Sequence, residues 1–418
     1  MHEKIVLPNG VRIIYENVPG VRSVACGIWV GTGSRFEKPS ENGASHFIEH
    51  MVFKGTKTRT AYQLAGLMDG VGGQINAFTG KDCTCYYGRV LDTHLTLLTD
   101  ALCDMLFNSV FSEESVDSER GVIFEEIDMY EDSPEDLATE RLTSAVFRGT
   151  SLSRPVLGTK RALSKMTGAS LLQHMKTHYG AQNTVVALSG SINREDVLAI
   201  AARFESMSPV DTRAESTAAY IPGFTSKKKS IEQNHICLGF PGVSISSPKR
   251  YAFHLMSEIL GGGMSSRLFQ TLREDRGLCY SVCSCGVTYI DCGLITLYVG
   301  LSPDKEAEAL LAMSGEIKKL IDNGVTETEL ERVREQTKAN ALMGLESTSR
   351  RSSFLGRNEL FLGSVPEIDE IIKHYDSVTS SDILLAAREC FNQENLSFSA
   401  VGRVRTAEVY RESFKQYL

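Results

Sequence analysis

The pentapeptide His46-Phe47-Ile48-Glu49-His50 decides how the rest of this sequence is interpreted. The apolar residues around its polar groups predict a buried helix over about residues 44–53. Residues four apart lie on one helical face, so the two imidazoles can share one zinc ion. Glu49 projects to the same side and can take a proton from a water at that ion. Free histidines in a buried helix would be costly, and the stretch therefore predicts part of a zinc site.

A catalytic zinc site usually has three protein ligands and keeps a fourth position open. The helical segment 119–127 offers candidates for the third ligand. Glu119 and Glu126 lie seven residues apart on one face, whereas Glu125 points roughly 100° away from its neighbour. The spacing alone does not choose between Glu125 and Glu126. Glu119 is expected to orient a ligand or the water through a hydrogen bond.

The composition is typical of a soluble globular protein, with 42% hydrophobic and 23% charged residues. A length of 418 residues suits two or more domains. The net charge of −8 argues against binding to nucleic acid, and no apolar run is long enough to predict a membrane span. The N-terminus shows no secretory signal, and the ten cysteines form no C-x-x-C pair. We therefore expect reduced cysteines and a cytoplasmic location.

The second half of the chain repeats the plan of the first half. Segment 179–190 matches segment 391–402, and Thr167 matches Thr379 at the same difference in residue number. Such self-similarity predicts two copies of one α/β unit. Where the first copy has its motif, the second has the segment 253–258, which lacks a second histidine. Only the first copy is therefore expected to bind metal.

Several further segments resemble those of the pitrilysin/insulinase family of inverted-motif zinc peptidases, in which H-x-x-E-H replaces the commoner H-E-x-x-H. The size and the two-repeat layout resemble the subfamily of the mitochondrial processing peptidase β subunit and its bacterial relatives. The similarity runs over nearly the whole chain. The matching segments are residues 7–11, 43–50, 54–56, 73–77, 119–127, 157–159, 262–269 and 276–281.

The resemblance implies an α+β fold of two homologous α/β-sandwich repeats, each a mostly antiparallel sheet with helices packed on one face. Residues 1–210 are predicted to form the catalytic, zinc-binding repeat, residues 211–228 a linker, and residues 229–418 a C-terminal repeat. The family's spacing between the second histidine and the third zinc ligand assigns that ligand to Glu126, and its auxiliary glutamate corresponds to Glu119. One Zn²⁺ per chain is expected.

The resemblance also implies how substrate is held. Peptides are expected to bind as an added strand on a sheet edge of the first repeat, where Asn76, Ala77 and Phe78 match. Arg273 and Tyr280 match an Arg and a Tyr of the second repeat that reach the substrate carbonyl region. Both residues are therefore predicted to contact substrate.

The function predicted from the sequence is a zinc-dependent metalloendopeptidase that hydrolyses unfolded peptides or targeting-type segments, with Glu49 as the general base. The alternative is a non-catalytic peptide-binding or partner subunit of a processing peptidase. Such partners typically lose the histidines or the base, and here both are present. The expected partners are peptide substrates and a second copy of the chain in a homodimer, but neither nucleic acid nor membrane.

Overall fold

A computed structural model describes residues 2–210 and 217–414 of the chain. Within these residues the chain forms two compact units, neither of which is continuous in sequence. The first unit comprises residues 2–127, 154–210 and 341–367. The second unit comprises residues 128–153, 217–340 and 368–414.

The secondary structure alternates short strands with groups of helices. The strands are β1 (Glu3–Val6), β2 (Arg12–Asn17), β3 (Ser23–Val30), β4 (Gln74–Thr79), β5 (Thr84–Leu91), β6 (Thr184–Gly190), β7 (Phe224–Lys228), β8 (Asn234–Gly242), β9 (Cys279–Thr288), β10 (Gly293–Leu301) and β11 (Ser397–Gly402). The helices are α1 (Ala44–Met51), α2 (Ala61–Asp69), α3 (Leu95–Asn108), α4 (Glu113–Asp132), α5 (Pro134–Val146), α6 (Lys160–Leu163), α7 (Gly168–His178), α8 (Arg194–Ala202), α9 (Arg250–Gly261), α10 (Glu306–Asn323), α11 (Glu327–Gly344), α12 (Thr348–Leu362), α13 (Ile368–Ser377), α14 (Ser380–Cys390) and α15 (Ala407–Phe414).

The first unit is built on a six-stranded sheet with the order β1-β2-β6-β3-β5-β4. The pair β2/β6 is parallel, and the other neighbouring pairs are antiparallel. Strand β4 lies at one edge, where, among the strands of residues 2–210 and 217–414, it pairs with β5 alone. One side of its backbone is therefore free to pair with another strand.

The second unit is built on a five-stranded sheet with the order β7-β11-β8-β10-β9. Here β7/β11 is the parallel pair, and the remaining pairs are antiparallel. This order repeats the order β2-β6-β3-β5-β4 of the first sheet. Helices α7 and α14 keep the register of the sequence repeat, and both begin with a capping box, at Thr167 and at Thr379. The topology confirms the predicted fold class of two homologous, mostly antiparallel α/β repeats.

Each sheet is covered on both faces, whereas the resemblance implied helices on one face. Side chains alternate along a strand, so Ile13 packs into the main core of the first unit while Ile14 faces the opposite side. Helix α12 covers that opposite side and packs Leu355 near Trp29. In the second unit α5 takes the same role and buries Leu142. A strand that is apolar on both faces needs cover on both, which is the physical reason for the difference.

Helices α5 and α12 occupy matching places in the two repeats, and each covers the sheet built by the other half of the sequence. The division into residues 1–210, 211–228 and 229–418 treated each half as continuous, so the compact units differ from it. Residues 211–216 of the predicted linker lie outside the described residues. Its end forms β7, which belongs to the second sheet.

Helix α1 is held at its N-terminus by a buried carboxylate. The first N–H groups of a helix have no partner within the helix, and anions are stabilised beside them. Glu37 accepts hydrogen bonds there from the backbone N–H of Gly43 at 2.7 Å and of Ser45 at 2.8 Å. Gly43 has a φ of 98°, a conformation that glycine adopts without strain. These contacts fix where the motif-bearing helix begins.

Among residues 2–210 and 217–414, every helix is too short or too polar to cross a lipid bilayer.

Candidate active site

Three of the predicted site residues converge beside α1. His46 and His50 lie one turn apart, with their ring centroids 4.6 Å from each other. Glu126 reaches them from α4, and its Oε2 lies 3.5 Å from the Nε2 atom of each histidine. The two nitrogens and the oxygen therefore form a compact triangle of ligand atoms, all within 4.8 Å of one another.

The triangle fits a metal ion better than it fits hydrogen bonding. Ligands that lie 2.0–2.2 Å from one tetrahedral zinc are about 3.3–3.6 Å from each other, which matches the 3.5 Å separations. Glu126 Oε2 is buried and has no hydrogen-bond partner within the described residues. Two imidazoles and one carboxylate are also a common donor set for catalytic zinc. The residues present thus fit a zinc ion.

The surroundings of the two histidines shift their pKa values in opposite directions. His46 is only 6% exposed, and burial, aided by the charge of His50, lowers its pKa to about 3. It is therefore neutral at physiological pH, as a metal ligand must be. Burial acts in the same direction on His50, but the hydrogen bond and charge of Glu119 outweigh it and raise the pKa of His50.

Glu119 forms a hydrogen bond with the ring nitrogen of His50 that faces away from Glu126. His50 Nδ1 and Glu119 Oε1 are 2.8 Å apart, which leaves the Nε2 atom of the same ring directed at Glu126. The other oxygen of Glu119 pairs with Lys54 Nζ at 2.5 Å. Burial acts to raise the pKa of Glu119, but the hydrogen bonds with His50 and Lys54 outweigh it and lower that pKa. A carboxylate in this position fixes the tautomer and the orientation of a ligating histidine.

Glu49, the predicted base, is oriented by a strand residue. The hydroxyl of Thr79 at the end of β4 donates to Glu49 Oε2 at 2.6 Å. Burial raises the pKa of Glu49, whereas the Thr79 hydrogen bond and the charge of His50 act to lower it. A carboxylate with a raised pKa accepts a proton more readily than an ordinary one.

The structure distinguishes the two glutamates between which the helical spacing could not decide. Glu126 is half-buried and faces the histidine pair, whereas Glu125 is exposed on α4. Glu119, seven residues earlier than Glu126, is 4% exposed and lies on the same side of the helix. That geometry agrees with the assignment implied by the resemblance, and the roles as ligands stay a prediction.

The predicted substrate strand lies on β4, the edge strand of the first sheet. Ala77 is buried, whereas Asn76 and Phe78 alternate with it and are exposed. Phe78 packs edge-to-face on Trp29, with a centroid distance of 5.5 Å. The side chain of Phe78 therefore contacts the face of the sheet covered by α12, and Thr79 contacts Glu49.

Arg273 and Tyr280 belong to the second unit. The guanidinium of Arg273 lies 4.9 Å from the ring centroid of Tyr280 and 4.8 Å from that of Phe269. Tyr280 is 76% exposed, so its hydroxyl is accessible. The predicted contact of both residues with substrate stays a prediction.

Sequence reasoning missed three residues that support the site. Thr79 orients Glu49, Lys54 pairs with Glu119, and Glu37 caps α1. Lys54 begins one of the segments that carried the family resemblance. Its place in the sequence, however, does not indicate that it contacts Glu119. The other two come from loops and strands whose approach to α1 depends on tertiary structure.

Among the described residues, two groups of side chains are close enough to hold a metal ion. One is the group of His46, His50 and Glu126. The other contains Glu41, His174 and His178, also in the first unit. The second unit, in which the matching helix α9 lacks a second histidine, contributes neither group.

Comparison with known proteins places these features in a family. Residues 12–160 match the family model described as Insulinase (Peptidase family M16), and residues 165–337 match the model described as Peptidase M16 inactive domain. A protein of Bacillus subtilis named an uncharacterized zinc protease is 40% identical, with 94% of this chain and 97% of that protein covered. An uncharacterized zinc protease of Streptomyces coelicolor is 37% identical, with coverages of 98% and 91%.

Solved structures agree in fold. A protease from Helicobacter pylori superposes with a TM-score of 0.90 at 21% identity, covering 96% of this chain and 99% of that one. A Pseudomonas fluorescens structure, titled as a peptidase M16 inactive domain, gives 0.90 at 18% identity, with coverages of 97% and 99%. The sequence matches, together with the inverted motif on α1, show that this chain belongs to the M16 family of peptidases, the insulinase family.

Proposed function

We propose that this protein is a zinc-dependent metalloendopeptidase that acts on unfolded peptides, with one zinc ion at the site beside α1. The observation that carries the proposal is the convergence of His46, His50 and Glu126, with Glu49 on the same helix. His46, His50 and Glu126 would hold the ion, and Glu49 adjoins them without belonging to the ligand triangle. A base beside an open metal position is the arrangement that peptide hydrolysis requires.

A bound zinc ion supplies a Lewis acid that polarises the scissile carbonyl and makes water a better nucleophile. Glu49 accepts the proton of the attacking water on its carboxylate and later donates it to the leaving amine. Thr79 holds the carboxylate in place while the proton is transferred. Glu119 keeps the His50 ring in its ligating orientation, and Lys54 neutralises the charge of Glu119.

Peptide substrates are proposed to pair with the free edge of β4. The Ala77 amide donates to the Asn76 side chain at 2.8 Å, a local bond that an incoming peptide carbonyl would replace. A cavity of about 650 Å³ lies against the same strand, lined by apolar side chains that include Phe53, Leu64 and Met68. It would accept a substrate side chain. Backbone pairing tolerates many sequences, which favours unfolded peptides as substrates.

Two further expectations are kept as proposals. The finer likeness to the mitochondrial processing peptidase β subunit suggests targeting-type segments as substrates. A homodimer is proposed as the assembly. Size-exclusion chromatography with light scattering tests the second point, since a mass of one chain would contradict it.

The function is tested by removing and restoring the metal. The purified protein is treated with a chelator and assayed on quenched fluorescent peptides before and after addition of Zn²⁺. We expect cleavage to be lost with the metal and restored by Zn²⁺ but not by Mg²⁺, whose preferred ligands are oxygens. If the zinc-loaded protein binds these peptides but leaves them intact, the non-catalytic alternative is correct.

A further inference from the structure

A second pair of histidines lies four residues apart on α7. His174 and His178 have ring centroids 4.2 Å apart, and Glu41 approaches them from the turn Pro39–Glu41 that precedes α1. Glu41 Oε2 lies 3.8 Å from His174 Nδ1. One ligand atom from each of the three side chains falls within 4.8 Å of the others. This arrangement repeats the donor set of the proposed catalytic site with different residues.

His174 is buried without a hydrogen-bond partner for its ring. The residue is 5% exposed, and neither of its ring nitrogens forms a hydrogen bond within the described residues. Buried polar groups are nearly always hydrogen-bonded, because an unpaired one costs free energy. An imidazole that lies beside a second imidazole and a carboxylate, without a hydrogen bond of its own, marks a place for a metal ion or an ordered water.

The repeated unit shows that the fold does not require histidines here. In the register that pairs Thr167 of the first copy with Thr379 of the second, His174 and His178 correspond to Ala386 and Cys390. Both of those residues are buried in the apolar core of the second unit. The first unit thus buries or half-buries polar rings where the second buries small apolar groups, so packing alone does not account for them.

The electrostatic surroundings keep both rings in the form that binds metals. Burial, together with the charges of His178 and Lys38, lowers the pKa of His174 to about 3. Burial and Lys38 also lower the pKa of His178, although Glu41 opposes them. Neutral imidazoles and a carboxylate are ligands that zinc and related divalent transition metals prefer. The exposed Lys38 lies nearby, and its positive charge opposes both protonation of the rings and the binding of a cation.

We propose that Glu41, His174 and His178 form a second metal site, which binds a divalent transition-metal ion such as zinc and fastens the segment before α1 onto α7. Glu41 lies in the same short segment as Glu37, whose carboxylate caps α1. An ion held by Glu41 and α7 would therefore restrain the entry to the motif-bearing helix. The protein would then bind one metal ion more than the single zinc expected from its sequence.

The proposal is tested by counting metal ions in full-length variants dialysed against Zn²⁺. Four proteins are compared by mass spectrometry of the metal: the wild type, Glu126→Gln, Glu41→Gln and the double variant. We expect two equivalents of zinc per chain in the wild type, one in each single variant and none in the double variant. Because the Glu41 side chain is 40% exposed, its amide replacement is expected to fold.

Two further variants make the test specific. His174→Asn in the Glu126→Gln background should also reduce one equivalent to none, whereas Glu195→Gln, a change of an exposed acidic residue in the first unit, should leave the count unchanged. Circular dichroism confirms that each variant is folded. The proposal is overturned if folded Glu41→Gln and His174→Asn proteins bind as much zinc as their parents. If the site beside α1 does not bind zinc but the second site does, the wild type binds one equivalent of zinc per chain. Glu41→Gln then removes that equivalent.

Discussion

Two His–His–Glu clusters in the first unit share a donor set and differ in everything that surrounds it. Each uses histidines four residues apart on a helix and a glutamate from another segment. On α1 the residue before the second histidine is Glu49, whereas on α7 it is Thr177. A carboxylate that can act as a base therefore lies directly before the second histidine on α1, whereas α7 has a hydroxyl at that position. The comparison separates the ability to bind a metal from the ability to use it.

The clusters also differ in how their histidines are held. His50 is oriented by Glu119, which in turn pairs with Lys54. His174, by contrast, has a hydrogen bond at neither ring nitrogen within the described residues. A ligand whose other nitrogen is fixed presents its lone pair in one direction, which suits catalysis.

The largest expected difference between the two clusters is measured by making the same change in both. Glu126→Gln should lower peptide cleavage by about 10³-fold or more, because the metal that activates water is lost. Glu41→Gln should leave cleavage at 25 °C within about twofold of the wild type, because the helix that bears that cluster has Thr177 where α1 has its base. Initial rates on a quenched peptide measure both. Equal losses in the two variants would show that the clusters act as one site.

A second prediction concerns the support behind His50. Glu119→Gln should weaken zinc binding at the α1 site by about 10–100-fold, since the ring loses the charge that fixes its orientation. Competition with a chromophoric chelator measures the affinity, in a Glu41→Gln background so that one site is observed. Glu125→Gln, at an exposed position of the same helix, serves as the matched control and should bind normally. Unchanged affinity in Glu119→Gln would remove Glu119 from the site.

The smallest expected effect comes from Thr79. Replacement by valine removes the hydrogen bond to Glu49 and keeps the shape, which should reduce cleavage about fivefold at pH 7 for a bond worth about 1 kcal/mol. Because that bond acts to lower the pKa of Glu49, its loss should raise this pKa. Glu49 must be deprotonated to act as a base, so the acid limb of the pH–rate profile should move to higher pH. An acid limb that moves to lower pH would contradict the assignment.

How much the sequence could predict differs between the two clusters. The helical period places His46 beside His50, and the family resemblance chooses Glu126, because a period alone cannot say which of two adjacent glutamates turns inward. The spacing of His174 and His178 was an equally regular signal on a helix. The third residue, Glu41, lies far away in the sequence and in a short turn, so only the folded chain shows that it approaches them.

In the fold, too, the features that follow from local sequence patterns could be predicted, whereas those that depend on tertiary packing could not. The internal repeat of the sequence predicts two similar sheets, and the sheet order confirms them. The sequence could not predict that α5 and α12 each cover the sheet built by the other half of the chain. An amphipathic helix specifies that one of its faces is buried, but not which sheet buries it. Thr79 escaped prediction for the same reason, since its contact with Glu49 depends on how β4 packs against α1.

The central claim, that Glu49 is the base of a zinc peptidase, is tested most directly by Glu49→Gln. Zinc content and cleavage of quenched peptides are measured on the same preparation of the wild type and the variant. We predict that the variant keeps its zinc and loses cleavage by about 10²–10⁴-fold, the usual contribution of a general base. Cleavage equal to that of the wild type, with zinc bound in both, would contradict the assignment.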